Sequence, residues 1–271
     1  MNIPVENNHF KSMHTRVARI VLAFWLLGWF LKADFYIPYL FHEVIQFPFI
    51  IDPFPSFFRS ALVLQFFYLF PILAFWALIR PNLFYLNVSA FTMVLSSIML
   101  LLHQDTHNDA TFITSFWVGI WFLWFVNQLS RTDKDIMTHA RSLALCVVGV
   151  VFLGGFVGKL TEEYWSGEVF ADIFLRQNFG WIGLWIRGHF QENDIYQGFW
   201  WIAKVMIVSE GILALAPLWP LKFVRVFGIV LMVSMSTFTT WRIFSVLSCL
   251  IGLLYALRYL ESERKVSAEV K

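Results

Sequence analysis

Charge is what this chain has least of. Only 14% of its 271 residues are Asp, Glu, Lys or Arg, while 59% are apolar. A soluble domain carries roughly 25% charged residues, so a surface wholly surrounded by water is excluded. Cysteine is nearly missing too. Cys146 and Cys249 both fall inside apolar runs, where a free thiol behaves as a small buried hydrophobe, and no disulfide framework or metal site is expected. The polar start, Met1 to Arg16, runs into an apolar segment without a small-residue cleavage pattern, so no cleaved signal peptide is expected. Alternating strand patterns, sequence repeats and low-complexity tracts are absent, and nothing points to nucleic acid as a partner.

What the chain has in excess is aromatic. It holds 31 Phe and 13 Trp, residues at home where one end of a ring is apolar and the other wet, as at a membrane interface. A spanning helix needs about 20 mostly apolar residues, so this length accommodates seven or eight crossings and little else. The fold expected is all-α: one polytopic transmembrane bundle over residues 1–271, in contact with the lipid bilayer, with about eight spanning helices and amphipathic interfacial segments on the outer side.

The first apolar run lies between Arg16 and Lys32, after a tail at 1–15. Residues 33–56 contain Pro38, Pro48, Pro53 and Pro55, too many for one spanning helix, and read as an interfacial or re-entrant connection. Further helices are expected near 57–79, ending at Arg80-Pro81, then 83–102, 111–129, 142–159 and 200–218. Residues 160–199 form the longest stretch that does not span, rich in Trp and acids. From Lys222 to Leu260 the chain is apolar for too long to cross once at 1.5 Å per residue, and it divides at Thr239-Thr-Trp-Arg242. Seven crossings plus a re-entrant pair is the alternative.

With eight crossings, thirteen basic residues fall on one side and six on the other (Lys32, Arg59, Lys159, Arg176, Arg187 and Arg242), with Lys204 inside a helix; together these are the 20 Lys and Arg of the chain. The positive-inside rule then places both termini in the cytoplasm of a cell inner membrane, with residues 160–199 outside.

Charges at membrane depth cost several kcal/mol and mark functional candidates. Lys159, Lys204 and Glu210 qualify. Lys204 and Glu210 are six residues apart, roughly 600° of helix. They do not share a face, and each needs a partner on another element. Lys159 closes the run Phe152-Leu-Gly-Gly-Phe-Val-Gly-Lys159, with Gly155 one turn below it and Gly154 one turn below Gly158. Small residues on a helix face admit another helix or a flat ligand. An amine there could act as a base, or could simply snorkel to the interface. His103 and His107 stand four apart beside Asn108. Polar loop residues, or part of an outward-facing substrate pocket, explain them more cheaply than a metal does.

The run Gly154-Gly-Phe-Val-Gly-Lys159-Leu-Thr-Glu-Glu-Tyr-Trp165-Ser-Gly167 resembles a signature of the vitamin K-dependent γ-carboxylase family. That family includes bacterial proteins sharing its membrane part, the horizontally transferred transmembrane domain. The pattern is an aromatic, small residues, Lys-Leu, then Trp and Gly; Glu210 followed by Pro217-Leu-Trp-Pro agrees in outline. The resemblance implies that Lys159 is the base that deprotonates a reduced quinone. It makes Lys159 and His107 the catalytic candidates, and Asn108, Trp165, Gly155, Gly158 and Glu210 the substrate-binding ones. Two features depart from the animal enzymes: their Asn-His pair reads His107-Asn108 here, and Met232-Val-Ser-Met-Ser-Thr237 stands where they have histidine. Small quinone-linked four-helix membrane proteins also show a Gly-x-x-Lys-Leu element.

The function implied is a quinol-dependent membrane enzyme or peptide-maturation factor, acting on a peptide or with a co-encoded partner protein. The alternative is a non-enzymatic membrane partner in a toxin, immunity or secretion system. The topology has a direct check. With an impermeant thiol reagent on intact cells, Ser166→Cys is expected to react and Ser267→Cys to stay unmodified; labelling at 267 would reverse the orientation.

Overall fold

The computed structural model describes residues 4–33, 37, 61–102, 110–129, 136–172, 184–185, 188–189, 195–238 and 241–269. Every regular element among them is helical. In chain order they are α1 (Pro4–Leu31), α2 (Ala61–Leu69), a 3-10 turn (Phe70–Ala74), α3 (Phe75–Ile79), α4 (Leu83–Leu101), α5 (Ala110–Gln128), α6 (Ile136–Gly158), α7 (Glu162–Trp165), α8 (Glu168–Ala171), α9 (Ile195–Ala214), a second 3-10 turn (Ala216–Leu218), α10 (Leu221–Phe238) and α11 (Trp241–Glu269).

Among the described residues, five segments are long and apolar enough to cross a membrane: His14–Leu31, Leu62–Ile79, Leu83–Leu101, Ala110–Gln128 and Ile136–Gly158. A shorter apolar stretch, Ile243–Tyr259, lies in α11. Large apolar side chains also point outward, Leu62 at 74%, Phe84 at 69% and Ile79 at 66% exposure. A soluble monomer rarely shows patches of this kind; lipid is the solvent that suits them. The chain is a multi-pass membrane protein, helical in every regular element among the described residues.

Local chemistry sets the helix ends. Pro71 has no N–H to give, so the rod from α2 to α3 tightens into a 3-10 turn around it. Arg80 stands before Pro81 and leaves helical geometry, as a residue before proline does. Asn82 then caps α4 by accepting from the Tyr85 amide at 2.8 Å. Two ends differ from the sequence expectation. Residues 4–15, read as a tail, belong to α1, because Pro4 suits a first helical turn and nothing after it breaks the helix. At the other end α11 runs past Leu260 to Glu269 through Glu, Arg, Lys and Ala, all good helix formers. Most of the interfacial segment expected at 33–56 lies outside the described residues.

The chain divides into two compact units, residues 1–144 with 245–271, and residues 145–244. In the first, Trp29 is the hub. Its indole donates to the Tyr68 carbonyl at 2.9 Å, and the Tyr68 hydroxyl donates back to the Trp29 carbonyl at 3.1 Å. The Phe112 ring stands edge-on to Trp29 at 5.1 Å. Glycines let backbones close up elsewhere, as small residues do in membrane bundles. Gly119 lies against Met93 and Val94, joining α5 to α4; Gly28 faces Ser245 and Ser248; Gly252 faces Phe24. The last two pairs run α1 and α11 antiparallel. On α4, buried hydroxyls return to their own backbone: Ser89 to Tyr85, Thr92 to Val88 and Ser97 to Met93, at 2.7 to 2.8 Å. Thr114 donates across to the Val246 carbonyl at 3.0 Å.

Gly28 gives the sharpest test of this packing. A methyl there would overlap the Ser248 hydroxyl and lie 2.7 Å from the Ser245 carbonyl oxygen. Overpacking of this kind destabilises by about 1–3 kcal/mol. Gly28→Ala is therefore expected to lower the melting temperature in detergent, whereas Gly154→Ala, whose added carbon meets nothing within 4 Å, leaves it unchanged or higher. Equal melting of the two variants would disprove the close approach of α1 and α11.

Candidate functional site

The second unit is built on two antiparallel helices that touch at three levels. Gly149 of α6 lies against the Ala214 carbonyl oxygen at 3.1 Å and the Pro217 ring at 3.0 Å, both measured from an added Cβ. Further along α6, the Phe156 ring covers Gly211 of α9. At the end of α6, Lys159 meets Glu210. The ammonium Nζ donates to Oε1 at 2.9 Å and to Oε2 at 2.7 Å, with a longer contact to the Gly155 carbonyl at 3.4 Å. Glu210 is buried at 5% side-chain exposure, and Lys159 keeps 21%.

Glycine makes that pairing fit. A Cβ at Gly155 would stand 3.1 Å from Glu210 Oε2 and 3.6 Å from Lys159 Nζ, so any larger residue would crowd both partners. The neighbouring glycines do something else. An added Cβ at Gly154 or Gly158 meets nothing within 4 Å. Of the sequence candidates, then, Lys159, Glu210 and Gly155 come together, and Gly158 faces open space one residue away.

Beyond Lys159 the chain turns through Thr161 into α7 and α8, the beginning of the interfacial segment expected at 160–199. Gly167 holds these two short helices against the start of α9. Its φ is +86°, a left-handed conformation in which a side chain is strained. An added Cβ would also stand 2.6 Å from the Trp200 nitrogen and 2.9 Å from the Phe199 carbonyl oxygen. This backbone approach carries Trp165 to α9, where Lys204 Nζ lies 3.2 Å above its ring centroid and 5.0 Å from that of Trp200. Trp165 is half-exposed. Glu163, fully exposed on the same connection, is held below the usual carboxylate range by its own amide N–H and by the Thr161 hydroxyl. Trp181, His107 and Asn108 lie outside the described residues, as does His103. Among the described residues, no three His, Cys, Asp or Glu side chains gather as a metal would need.

Two features of the site go beyond the sequence reading. The Lys204–Trp165 contact had a partial signal in the four-residue spacing from Trp200 to Lys204, which puts them on one helix face. Gly167 was visible only as part of the family-like run, not as a place where backbones meet.

Comparison with family models, with curated proteins and with solved structures gives no match.

The ion pair is open to measurement. Removing one partner of a buried pair leaves an uncompensated charge, at a cost of about 3–5 kcal/mol. Lys159→Met and Glu210→Gln are each expected to destabilise the protein in detergent. The double variant should lose clearly less than the two singles together. Additive losses in that double-mutant cycle would mean the two side chains do not interact.

Proposed function

We propose that this chain is a membrane enzyme whose acid–base group is the Lys159–Glu210 pair, working on a lipid-soluble quinol or a peptide from the side that carries residues 160–199. The observation that carries the reading is the pair itself: a buried carboxylate bound through both oxygens to the one amine of the family-like Lys-Leu element, with Gly155 leaving room for both. In the pair, the ammonium is the proton donor. For Lys159 to serve as a base its proton must leave, and Glu210 is an acceptor already in contact.

A reduced quinone suits the surroundings. The faces at Gly154 and Gly158 are open to a flat ring, and Lys159 retains some exposure beside them. Such a group, when bound, would supply a weakly acidic hydroxyl and reducing electrons. Glu210 would orient the amine, Lys159 would hold or take the proton, and Trp165 with its short helix would cover the outer end. His107 and Asn108, which the family resemblance adds as candidates, lie outside the described residues. In this reading the protein sits in the inner membrane with about eight crossings. Both termini are cytoplasmic, and a peptide or co-encoded partner is engaged from outside.

One observation favours a second reading. The three N–H groups of the ammonium face the two Glu210 oxygens and, at longer range, the Gly155 carbonyl, as in a structural clasp, and a non-enzymatic membrane partner needs nothing more from it.

Lys159→Arg separates the two. Arginine keeps the charge and the bidentate geometry with a carboxylate, but it does not give up its proton. The enzyme reading expects Lys159→Arg to melt like the wild type while quinol consumption, or maturation of a co-encoded peptide, falls by about 10² to 10⁴, the worth of general base catalysis. Full activity in Lys159→Arg would refute the base role and leave the clasp.

A further inference from the structure

We propose that Lys204 is the head-group site for one anionic membrane lipid, recognised through its phosphate, with an acyl chain lying along α9. Lys204 lies in the helix of Glu210, six residues nearer its start, about 9 Å further toward the Trp-bearing end. No hydrogen bond or ion pair joins it to another described residue. Instead its ammonium is set on the face of Trp165 and near that of Trp200. Ring faces attract the charge but accept few of its N–H bonds, so the ammonium still calls for an oxygen acceptor.

The position of that acceptor follows from the neighbours. Trp201, Val205 and Val208 are exposed at 59%, 60% and 54%, and with Lys204 they occupy one side of α9 by their three- and four-residue spacing. An apolar stripe ending in a lysine flanked by tryptophans matches an amphiphile: chain on the stripe, phosphate at the charge, indoles at head-group level. The site is built rather than incidental. Gly167, through its positive φ and its approach to Phe199 and Trp200, is what brings Trp165 over the amine. The acids Glu162 and Glu163 on the same connection leave Lys204 unpaired among the described residues, so its charge is available.

The test is lipid retention by the full chain in a zwitterionic detergent, read by native mass spectrometry with phosphatidylglycerol or phosphatidylcholine. The wild type is expected to hold one phosphatidylglycerol in preference to phosphatidylcholine, and millimolar inorganic phosphate should not displace it. Lys204→Met should weaken that retention about fivefold, and Lys204→Arg should preserve it. Val205→Asn with Val208→Asn changes only exposed positions and keeps the lysine, so it tests the chain-binding stripe even if Lys204→Met folds poorly; it too should weaken retention. Lys222→Met, an exposed lysine on α10, should have no effect. Unchanged retention in Lys204→Met or in the double asparagine variant would overturn the proposal. So would an equal loss in Lys222→Met, or displacement by inorganic phosphate, which would make the site a bare anion site.

Discussion

A charge carried into an apolar helix must be neutralised where it stands, because no water is at hand to do it. Two of the elements in the second unit answer to that rule. Glu210 is buried in the body of α9, so a cation has to come to it. The cation comes from the end of α6, and the antiparallel run of the two helices, shown by the Gly149–Ala214 and Phe156–Gly211 contacts, brings residues 159 and 210 to one level. Gly149, Gly155 and Gly211 then have one common purpose. Each removes a side chain at a point where the pairing of α6 with α9 would otherwise be held apart. The Lys159–Glu210 contact is therefore a registry device as well as a candidate for chemistry, since sliding either helix by one turn would strand a carboxylate in an apolar layer.

The first unit solves a different problem with the same materials. It has no buried ion pair to set its register among the described residues. Its specificity rests instead on backbone proximity and on hydroxyls that satisfy themselves. Between lipid tails and leucine side chains there is little hydrophobic difference, so packing and hydrogen bonding must do what water does for soluble proteins. The reciprocal Trp29–Tyr68 bonds show how: each ring is locked by the other residue's carbonyl, which fixes α1 against α2 without any charge.

Much of the helix pattern was legible because apolar length and proline placement are direct consequences of the membrane. Arg80-Pro81 ends a helix for steric reasons; at the division expected over Thr239-Thr-Trp-Arg242, Trp241 and Arg242 belong to α11 and residues 239–240 lie outside the described residues. The early start of α1 and the late end of α11 were not legible from hydropathy, which sees only apolar content; both extensions are polar helix formers outside the apolar runs. The site was half legible. Depth alone said that Glu210 and Lys204 each needed a partner from another element, and both found one. Sequence could not choose those partners, because Lys159 and Glu210 are 51 positions apart and only the antiparallel packing brings them together. The division into two units was also invisible, since its boundaries fall inside α6 and α11, where composition does not change.

The two lysines at this end of the second unit differ in what holds them, and that difference assigns them different work. Lys159 is bound by a carboxylate, a partner that can itself take a proton, so the pair can move a proton without creating a naked charge. Lys204 is held by aromatic faces, which cannot take a proton and leave N–H groups unanswered, so it suits recognition of an anion rather than acid–base chemistry. Exchanging their surroundings would exchange their roles: a carboxylate beside Lys204 would cancel its pull on an oxyanion, and indoles beside Lys159 would leave Glu210 buried and alone. The roughly 9 Å between Lys204 and Glu210 along α9 keeps the two environments separate. An anion drawn to Lys204 would thus leave the Lys159–Glu210 pair intact.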